Sequence, residues 1–164
     1  MHQAYILLGT NLGNRLSYLQ QATTYITQQV GEVSATSSIY ETAAWGLTEQ
    51  PSFYNQVLVV KTSVKPETLM QQLLDIETQL GRIRTIKFGP RIIDIDILLI
   101  DDLVNESAIL QLPHPALPQR KFALMPLAEV APNLLHPVEK KTISQLLQAC
   151  TDTLDVQKIT PAAS

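Results

Sequence analysis

The chain has 164 residues, of which 45% are hydrophobic and 16% are charged, a composition typical of a compact folded protein and not of a disordered chain. Its 12 lysines and arginines against 15 aspartates and glutamates give a net charge of -3, which argues against a general nucleic-acid binder. The single cysteine, Cys150, cannot form an internal disulfide, and no apolar run approaches the roughly 18 residues that would span a membrane. We therefore expect a cytoplasmic protein with one domain over residues 1–160 and a frayed tail at residues 161–164.

Strands and a helix alternate through the first half of the chain. An apolar run at residues 4–8 predicts a buried strand, and Asn14 is placed to cap a helix whose apolar residues recur at three- and four-residue steps until Gly31 stops it. Residues 33–40 and 53–62 are predicted to follow as strands, with a loop between the two.

The second half of the chain begins with a helix that Pro66 opens and Gly81 closes. A basic loop then leads into a strongly apolar strand at residues 94–100. The shorter predicted elements are a turn at residues 101–102, a short strand at residues 110–112, an irregular proline-rich stretch at residues 113–118, and helices at residues 122–130 and 143–150. The order β-α-β-β-α-β predicts an α+β fold with a ferredoxin-like core, in which helices pack on an antiparallel sheet, plus C-terminal additions.

Two aspartates begin the most apolar strand of the chain. In an extended strand Asp94 and Asp96 share one face, which Leu98 and Ile100 continue as hydrophobic residues, so the carboxylates are predicted to sit where a buried strand opens to solvent. Alternating acids are commonly just the wet face of an amphipathic strand. Two carboxylates this close repel each other unless a cation lies between them, however, and their hard oxygen atoms suit Mg²⁺. We therefore interpret the pair as a metal site.

Positive charge is concentrated in the loop before these aspartates. Five arginines occur in the whole chain, and three of them, Arg82, Arg84 and Arg91, lie in this loop with Lys87. A run of charges is commonly a solvated surface, but the planar guanidinium group of arginine binds phosphate oxygens in pairs. Arginines next to a candidate metal site indicate phosphate chemistry, because both neutralise the charge that spreads when a phosphoryl group transfers.

Two further groups of residues are candidates for substrate contacts. His114 lies between two prolines, a few residues before Arg120, and is interpreted either as a phosphate contact or as a structural histidine. Trp45, Phe53 and Asn55 lie where two predicted strands end. Aromatic residues at strands commonly belong to the core, but a flat heterocycle would need stacking faces and an amide for its edge.

The chain resembles the 6-hydroxymethyl-7,8-dihydropterin pyrophosphokinase family of folate biosynthesis, and the resemblance runs nearly end to end. Its most specific mark is the Gly-Pro-Arg-x-x-Asp-x-Asp sequence at residues 89–96. Other marks are Gly-Thr-Asn-Leu-Gly at residues 9–13, Tyr-Glu-Thr at 40–42, Phe-Tyr-Asn at 53–55, Gly-Arg-Ile-Arg at 81–84 and Pro-His-Pro at 113–115. The family transfers the β,γ-diphosphate of ATP to the hydroxymethyl oxygen of the dihydropterin and releases AMP, and the resemblance implies the same reaction here.

The resemblance also implies a role for each site residue. Asp94 and Asp96 would hold two Mg²⁺ ions and would form the catalytic group together with Arg82 and Arg91. The ATP-binding residues would be Glu77, Arg82, Arg84, Arg91, His114 and Arg120. The pterin-binding residues would be Thr42, Ala43, Trp45, Phe53, Asn55, Phe88 and Phe122. The pterin ring would stack between Phe53 and Phe122.

A rival hypothesis is a non-catalytic ferredoxin-like domain that binds RNA or a small regulatory ligand. The acidic balance of charges and the missing aromatic RNA-binding motifs weaken the RNA version. A ligand sensor would not need the array of Arg91, Asp94 and Asp96. We therefore expect a monomeric enzyme with ATP and the pterin as substrates, and with no nucleic-acid or membrane partner.

Overall fold

A computed structural model describes residues 1–43, 50–82 and 92–159 of the chain. Its elements are β1 (His2–Thr10), α1 (Arg15–Gln29), β2 (Glu32–Thr36), β3 (Ile39–Thr42), β4 (Phe53–Thr62), α2 (Pro66–Gln79), β5 (Asp94–Ile100), β6 (Asn105–Glu106), β7 (Gln111–Leu112), α3 (Lys121–Val130), α4 (Ile143–Ala149) and β8 (Val156–Ile159). A 3-10 turn at Leu117–Gln119 precedes α3.

Four predicted site residues lie outside the described residues. They are Trp45, Arg84, Phe88 and Arg91. The predicted tail at residues 161–164 also lies outside them. The roles expected for these residues therefore stay predictions.

Six strands form one antiparallel sheet within the described ranges. Its order is β5-β1-β4-β3-β8, and β2 pairs with the half of β4 that β3 leaves open. This order places the first and last strands of the β-α-β-β-α-β unit side by side, which is the ferredoxin-like arrangement. The predicted α+β fold class is therefore confirmed, with β8 added at the outer edge of the sheet.

Helices cover both faces of the sheet and produce two hydrophobic cores. On one face α1 and α2 bury Leu19, Ile26 and Leu73 against β1, β4 and β5. On the other face α3 and α4 bury Leu124 and Ile143 against the same strands. Because both faces are covered, the central strands are apolar on both sides and do not alternate with polar residues. No helix in the described part of the chain is long and apolar enough to cross a membrane.

The predicted ends of α1 and α2 are confirmed, except for the role of one glycine. The Asn14 side chain accepts a backbone hydrogen bond of 3.0 Å at the start of α1, Pro66 begins α2, and Gly81 with φ +96° follows its end. Gly31 lacks the left-handed backbone of a stop signal. A Cβ atom on Gly31 would lie 2.2 Å from the Lys61 carbonyl oxygen, so the close approach of the chain after α1 to β4 requires glycine there.

A β-bulge in β5 corrects the predicted alternation of its faces. The register with β1 shifts between Tyr5 and Ile6, which makes Leu98 an extra residue on β5. Leu98 and Leu99 both belong to the core under α3 and α4, and Ile100 belongs to the core under α1 and α2. The prediction that Ile100 continues the face of the aspartates is therefore wrong, because the bulge reverses the alternation after Leu98.

Other strands differ from prediction in extent. The predicted strand at residues 33–40 is divided into β2 and β3, because the Ser37 hydroxyl oxygen accepts the Val57 N–H at 2.9 Å in place of a backbone carbonyl. The short strand predicted at residues 110–112 is present as β7, which pairs with β6 in a separate two-stranded sheet. Strand β8 is not among the predicted elements, because its four residues alternate only weakly between apolar and polar. It forms by pairing with β3.

Candidate active site

A cleft of about 280 Å³ lies where the C-terminal end of β1 meets the N-terminal ends of β4 and β5, next to the start of α3. The predicted site residues that line it are Thr42, Ala43, Phe53, Asn55, Arg82, Asp94, Asp96, His114, Arg120 and Phe122. The fold thus brings together residues from the predicted metal, phosphate and pterin groups.

Strand register brings the aspartates beside the amide of β4. Gly9 of β1 pairs with Asp94 on one side and with Asn55 on the other, and Leu7 pairs with Asp96. All five residues line the cleft. The two carboxylates and the Asn55 amide therefore lie on one face of three adjacent strands. This follows because directly paired residues of neighbouring strands point to the same face, and side chains along a strand alternate between faces.

The surroundings of Asp96 disfavour its charged form. Burial raises the pKa of Asp96, and the negative charges of Asp94 and Glu77 raise it further, whereas Arg120 and Arg82 oppose the rise and leave the pKa at about 7. A carboxyl group with this pKa is partly protonated at neutral pH. A cation between Asp94 and Asp96 would favour the ionised form, so the pair is suited to a positively charged partner.

Arg82 connects α2 to the start of β5. Its Nη1 atom lies 3.0 Å from Oε1 of Glu77 and 2.6 Å from Oδ1 of Asp94. Burial lowers the pKa of Arg82, but the charges of these two carboxylates outweigh that effect and leave the pKa above its ordinary value. The side chain is 11% exposed and lines the cleft, so a charged guanidinium group faces the space beside the aspartates.

The end of α2 explains how Arg82 and Glu77 meet. The left-handed backbone of Gly81 turns the chain so that the Arg82 N–H donates to the Glu77 carbonyl oxygen at 3.0 Å. Oε2 of Glu77 accepts the Ile95 N–H at 2.7 Å, which satisfies a backbone donor on the outer edge of β5. Glu77 is 3% exposed and does not line the cleft, so it reaches the site through Arg82 and β5.

The described residues fit a metal ion that takes most of its ligands from a substrate. The Asp94 side chain is 25% exposed, and both aspartates line the cleft. No group of three or more His, Cys, Asp and Glu side chains in the described ranges is placed to hold an ion by itself. Mg²⁺ is commonly held by one or two carboxylates together with phosphate oxygens and water. Asp94 and Asp96 therefore fit magnesium that arrives with a phosphate ligand better than a resident structural metal.

The segment before α3 contributes His114. Its backbone N–H donates to the carbonyl oxygen of the bulge residue Leu98 at 2.9 Å, which attaches this segment to β5. Burial and the charge of Arg120 lower the pKa of His114, although Asp94 opposes them. The Nδ1 atom accepts the Ala116 N–H at 3.1 Å, so a neutral ring carries its proton on Nε2. The Nε2–H group is then a donor suited to a phosphate oxygen.

Two buried oxygen atoms mark the other part of the cleft. Thr42 and Asn55 are each 3% exposed, and within the described residues neither Oγ1 of Thr42 nor Oδ1 of Asn55 has a hydrogen-bond partner. The Asn55 amide group donates to the Leu8 carbonyl oxygen at 3.2 Å, which fixes its orientation. Because buried polar atoms are normally paired, these two oxygens suit a ligand with a polar edge. The rings of Phe53 and Phe122 line the same cleft and offer apolar faces to a flat ligand.

Three cleft residues are missing from the sequence prediction. They are Leu7, Gly9 and Leu154. A Cβ atom on Gly9 would lie 2.8 Å from Nδ2 of Asn55, so the absence of a side chain there makes room for the amide. Alternation along β1 puts Leu7 and Gly9 on one face and would have identified both. Leu154 has no local signal, because only the pairing of β8 with β3 returns that part of the chain to the cleft.

Comparison with known proteins identifies relatives of the chain. The family model of 7,8-dihydro-6-hydroxymethylpterin-pyrophosphokinase matches residues 5–132. The chain is 40% identical over 145 residues to the 2-amino-4-hydroxy-6-hydroxymethyldihydropteridine pyrophosphokinase of Aquifex aeolicus, which covers 88% of this chain and 90% of that protein. The Bacillus subtilis protein of the same name is 42% identical over 142 residues, covering 86% of this chain and 83% of that protein.

The fold is also similar to that of a solved structure. Plasmodium falciparum HPPK-DHPS wild type with pteroate superposes with a TM-score of 0.73 at 18% sequence identity. The superposition covers 90% of this chain and 42% of the longer Plasmodium chain. At this identity the similarity bears on the fold alone, and it agrees with the arrangement of sheet and helices described above.

Proposed function

The chain belongs to the 7,8-dihydro-6-hydroxymethylpterin-pyrophosphokinase family, and from this membership we propose that it transfers a diphosphate group from ATP to the hydroxymethyl oxygen of 6-hydroxymethyl-7,8-dihydropterin. The observation that carries the proposal is a cleft that combines paired carboxylates, cationic side chains and buried oxygens for which the described part of the chain offers no hydrogen-bond partner. The rival hypothesis of a non-catalytic domain accounts for neither the family membership nor this combination.

The pterin would bind between the two aromatic rings. Phe53 and Phe122 would stack on its faces, and Thr42 and Asn55 would hydrogen-bond to its polar edge through the oxygens that lack partners within the described residues. This arrangement would place the hydroxymethyl group toward the carboxylates, because Asn55 and Asp94 are both paired with Gly9 on β1. Trp45 and Phe88 belong to this part of the proposal through the family resemblance.

The triphosphate would bind at the charged end of the cleft. Asp94 and Asp96 would hold two Mg²⁺ ions, which when bound would neutralise phosphate charge. Arg82 and Arg120 would donate to phosphate oxygens, and His114 would donate through its Nε2–H group. Arg84 and Arg91 would join them on the basis of the family resemblance.

In the transfer the hydroxymethyl oxygen forms a bond to the β-phosphorus of ATP while the bond from that phosphorus to the oxygen bridging it to the α-phosphate breaks. AMP leaves with the electron pair of the broken bond, and the hydroxyl proton is released. Asp96 would orient the attacking hydroxyl group, and the cationic side chains would stabilise the charge on the leaving AMP. Catalysis would depend on position and charge more than on a strong general base.

The identity of the nucleotide product tests this proposal. The protein is incubated with ATP, 6-hydroxymethyl-7,8-dihydropterin and Mg²⁺, and the nucleotides are separated by chromatography. We expect AMP in equal amount to the pterin diphosphate, and no AMP when Mg²⁺ is removed with a chelator. ADP as the product would instead indicate an ordinary kinase, and no turnover in the presence of both substrates would contradict the proposal.

A cytoplasmic location and a monomeric state belong to the same proposal. Both rest on the sequence, through its single cysteine and its lack of any feature that demands a dimer. Size-exclusion chromatography with light scattering would measure the oligomeric state directly.

A further inference from the structure

The C-terminal part of the chain returns to the cleft. Leu154 lines it together with Thr42 and Phe122, although the match to the family model ends at residue 132. The side chain is half-buried and apolar. A residue beyond the family model therefore forms part of the wall of the candidate active site.

Asp152 fixes the position of this segment against α3. Its Oδ2 atom accepts the Lys121 N–H at 3.1 Å, and its Oδ1 atom accepts the Leu154 N–H at 3.0 Å. The N-cap residue of α3, Arg120, makes no side-chain capping bond of its own. Asp152 thus supplies from a distant part of the chain both an acceptor and a negative charge at the start of that helix.

The helix start that Asp152 holds carries two residues of the cleft. Arg120 immediately precedes α3, and Phe122 is the second residue of the helix. The hydrogen bond to Lys121 lies between them in sequence. A displacement of this turn would move both the guanidinium group and the aromatic ring.

Strand β8 fixes the segment from its other end. Val156 is buried and pairs with Thr42 of β3, the strand that leads into the cleft. Leu154 is therefore held between Asp152 on one side and a sheet pairing on the other. Thr42, which pairs with Val156, and Phe122 line the same cleft as Leu154.

We propose that the segment at residues 152–156 is a working part of the substrate site, in which Leu154 contacts the face or edge of the pterin and Asp152 is a positioning residue for Arg120 and Phe122. An aliphatic side chain gains free energy against a flat heterocycle and not against a triphosphate, so Leu154 discriminates between the substrates. This inference rests on the proposed function, since it names the substrate that the segment contacts.

The first experiment tests Leu154 by calorimetric binding of the pterin, in the presence of Mg²⁺ and a non-hydrolysable ATP analogue. We expect Leu154→Ala to weaken pterin binding about fivefold through the loss of apolar contact, while the affinity for the ATP analogue alone stays within twofold. Ile109→Ala is the matched control, because Ile109 is 68% exposed and lies away from the cleft. Wild-type pterin affinity in Leu154→Ala, or an equal loss for both ligands, would overturn the role of Leu154.

The second experiment tests Asp152 by steady-state kinetics and thermal unfolding together. We expect Asp152→Ala to raise the KM for both substrates about tenfold, since both Arg120 and Phe122 depend on the start of α3. Asp152→Asn should recover most of this loss, because its amide oxygen still accepts one of the two backbone N–H groups. A lower Tm with unchanged KM values in Asp152→Ala would show a purely structural role and would contradict the inference.

The two proposals fail in different ways. Absence of AMP formation by the wild-type protein would remove the proposed function. Wild-type AMP formation with unaltered pterin affinity in Leu154→Ala would leave the proposed function intact and remove only the inference about the C-terminal segment.

Discussion

Among single residues, Asp96 shows most clearly how the site differs from an ordinary surface. A carboxyl group with a pKa of about 7 destabilises the fold when it is ionised, because the unfolded chain lets it ionise near pH 4. Between these values the folded protein binds more protons than the unfolded one, so this group makes stability fall as the pH rises from about 4 to 7. The ionised form of Asp96 is therefore unfavourable beside Asp94 and Glu77, and a cation between the carboxylates would offset this repulsion.

We predict that Asp96→Asn raises the stability of the metal-free protein and abolishes AMP formation. The substitution should increase the free energy of unfolding at pH 8 by about 1–2 kcal/mol, with the difference shrinking toward pH 4. Thermal unfolding without metal and a product assay with Mg²⁺ measure the two effects. Asp102→Asn, in an exposed turn, is the matched control and should change neither. A less stable Asp96→Asn variant would show that the carboxylate contributes bonds that outweigh its repulsion.

A second prediction for single residues concerns Gly9 and Gly31, where an added Cβ atom would lie closer than van der Waals contact to a neighbouring atom. A Cβ atom on Gly9 would meet a side-chain atom, Nδ2 of Asn55, at 2.8 Å, whereas one on Gly31 would meet a backbone atom, the Lys61 carbonyl oxygen, at 2.2 Å. We expect Gly9→Ala to fold with a loss below about 1 kcal/mol but to raise the KM for the pterin about tenfold, because the Asn55 amide must move. Gly31→Ala should lose about 3 kcal/mol of stability and keep its pterin KM. Steady-state kinetics and denaturant unfolding of both variants test this prediction. An unchanged pterin KM in Gly9→Ala, with a raised KM in Gly31→Ala, would place Asn55 outside the pterin site.

At the scale of elements, a carboxylate on α3 holds that helix against the edge of the sheet. Glu129 accepts the Ser38 N–H at 2.7 Å and the Tyr40 hydroxyl at 2.6 Å, and it lies 3.6 Å from Nζ of Lys158 on β8. Burial raises the pKa of Glu129, but the hydrogen bonds from Tyr40 and Ser38 outweigh it and leave the pKa below its ordinary value. One side chain thus joins α3, β3 and β8, and the first two of these elements contribute residues to the cleft.

This lowered pKa predicts a pH-dependent contribution to stability. Because the folded state favours the ionised carboxylate, the stabilisation is present at neutral pH and is lost as the pH falls below about 4. Glu129→Gln should therefore lower the free energy of unfolding by about 1–2 kcal/mol at pH 7, and by progressively less toward pH 3.5. Urea unfolding across this pH range measures the difference. The exposed Glu106→Gln variant is the control, and a constant difference at every pH would contradict ionisation as the cause.

At the scale of the whole molecule, one sheet lies between two hydrophobic cores, and the same strands contribute residues to both. Except at the bulge, where Leu98 and Leu99 share one core, adjacent residues of β1, β4 and β5 face opposite cores, so each strand belongs to both. Loss of packing on one face therefore disturbs the strands that the other face needs. One domain over residues 1–160 stays a prediction, which the unfolding of the two cores can test.

We predict that the two cores unfold together. Leu73→Ala in α2 and Leu124→Ala in α3 should each lower stability by about 2–4 kcal/mol, because both side chains are fully buried. Each variant should still unfold in one transition, with equal calorimetric and van't Hoff enthalpies. Scanning calorimetry decides the matter. Two separate transitions in either variant would show that the helices on one face form an independent unit.

Much of the fold and of the site is predictable from the sequence, because the signals lie between neighbours in the chain. The cap at Asn14, the start at Pro66 and the stop at Gly81 depend on local backbone chemistry, and all three are present as predicted. The pairing of Asp94 and Asp96 on one face follows from the period of a strand. The residue types of the cleft and the family to which the chain belongs follow from motifs of the same kind.

What only the tertiary structure decided depends on contacts between distant parts of the chain. The bulge at Leu98 arises from the register of β5 against β1, and the need for glycine at position 31 arises from Lys61 on another strand. The raised pKa of Asp96 requires its burial beside Asp94 and Glu77. Leu154 enters the cleft because β8 pairs with β3 and because Asp152 binds the start of α3. Local sequence preferences do not predict such contacts, because the free energy that stabilises them comes from groups that become neighbours only when the chain has folded.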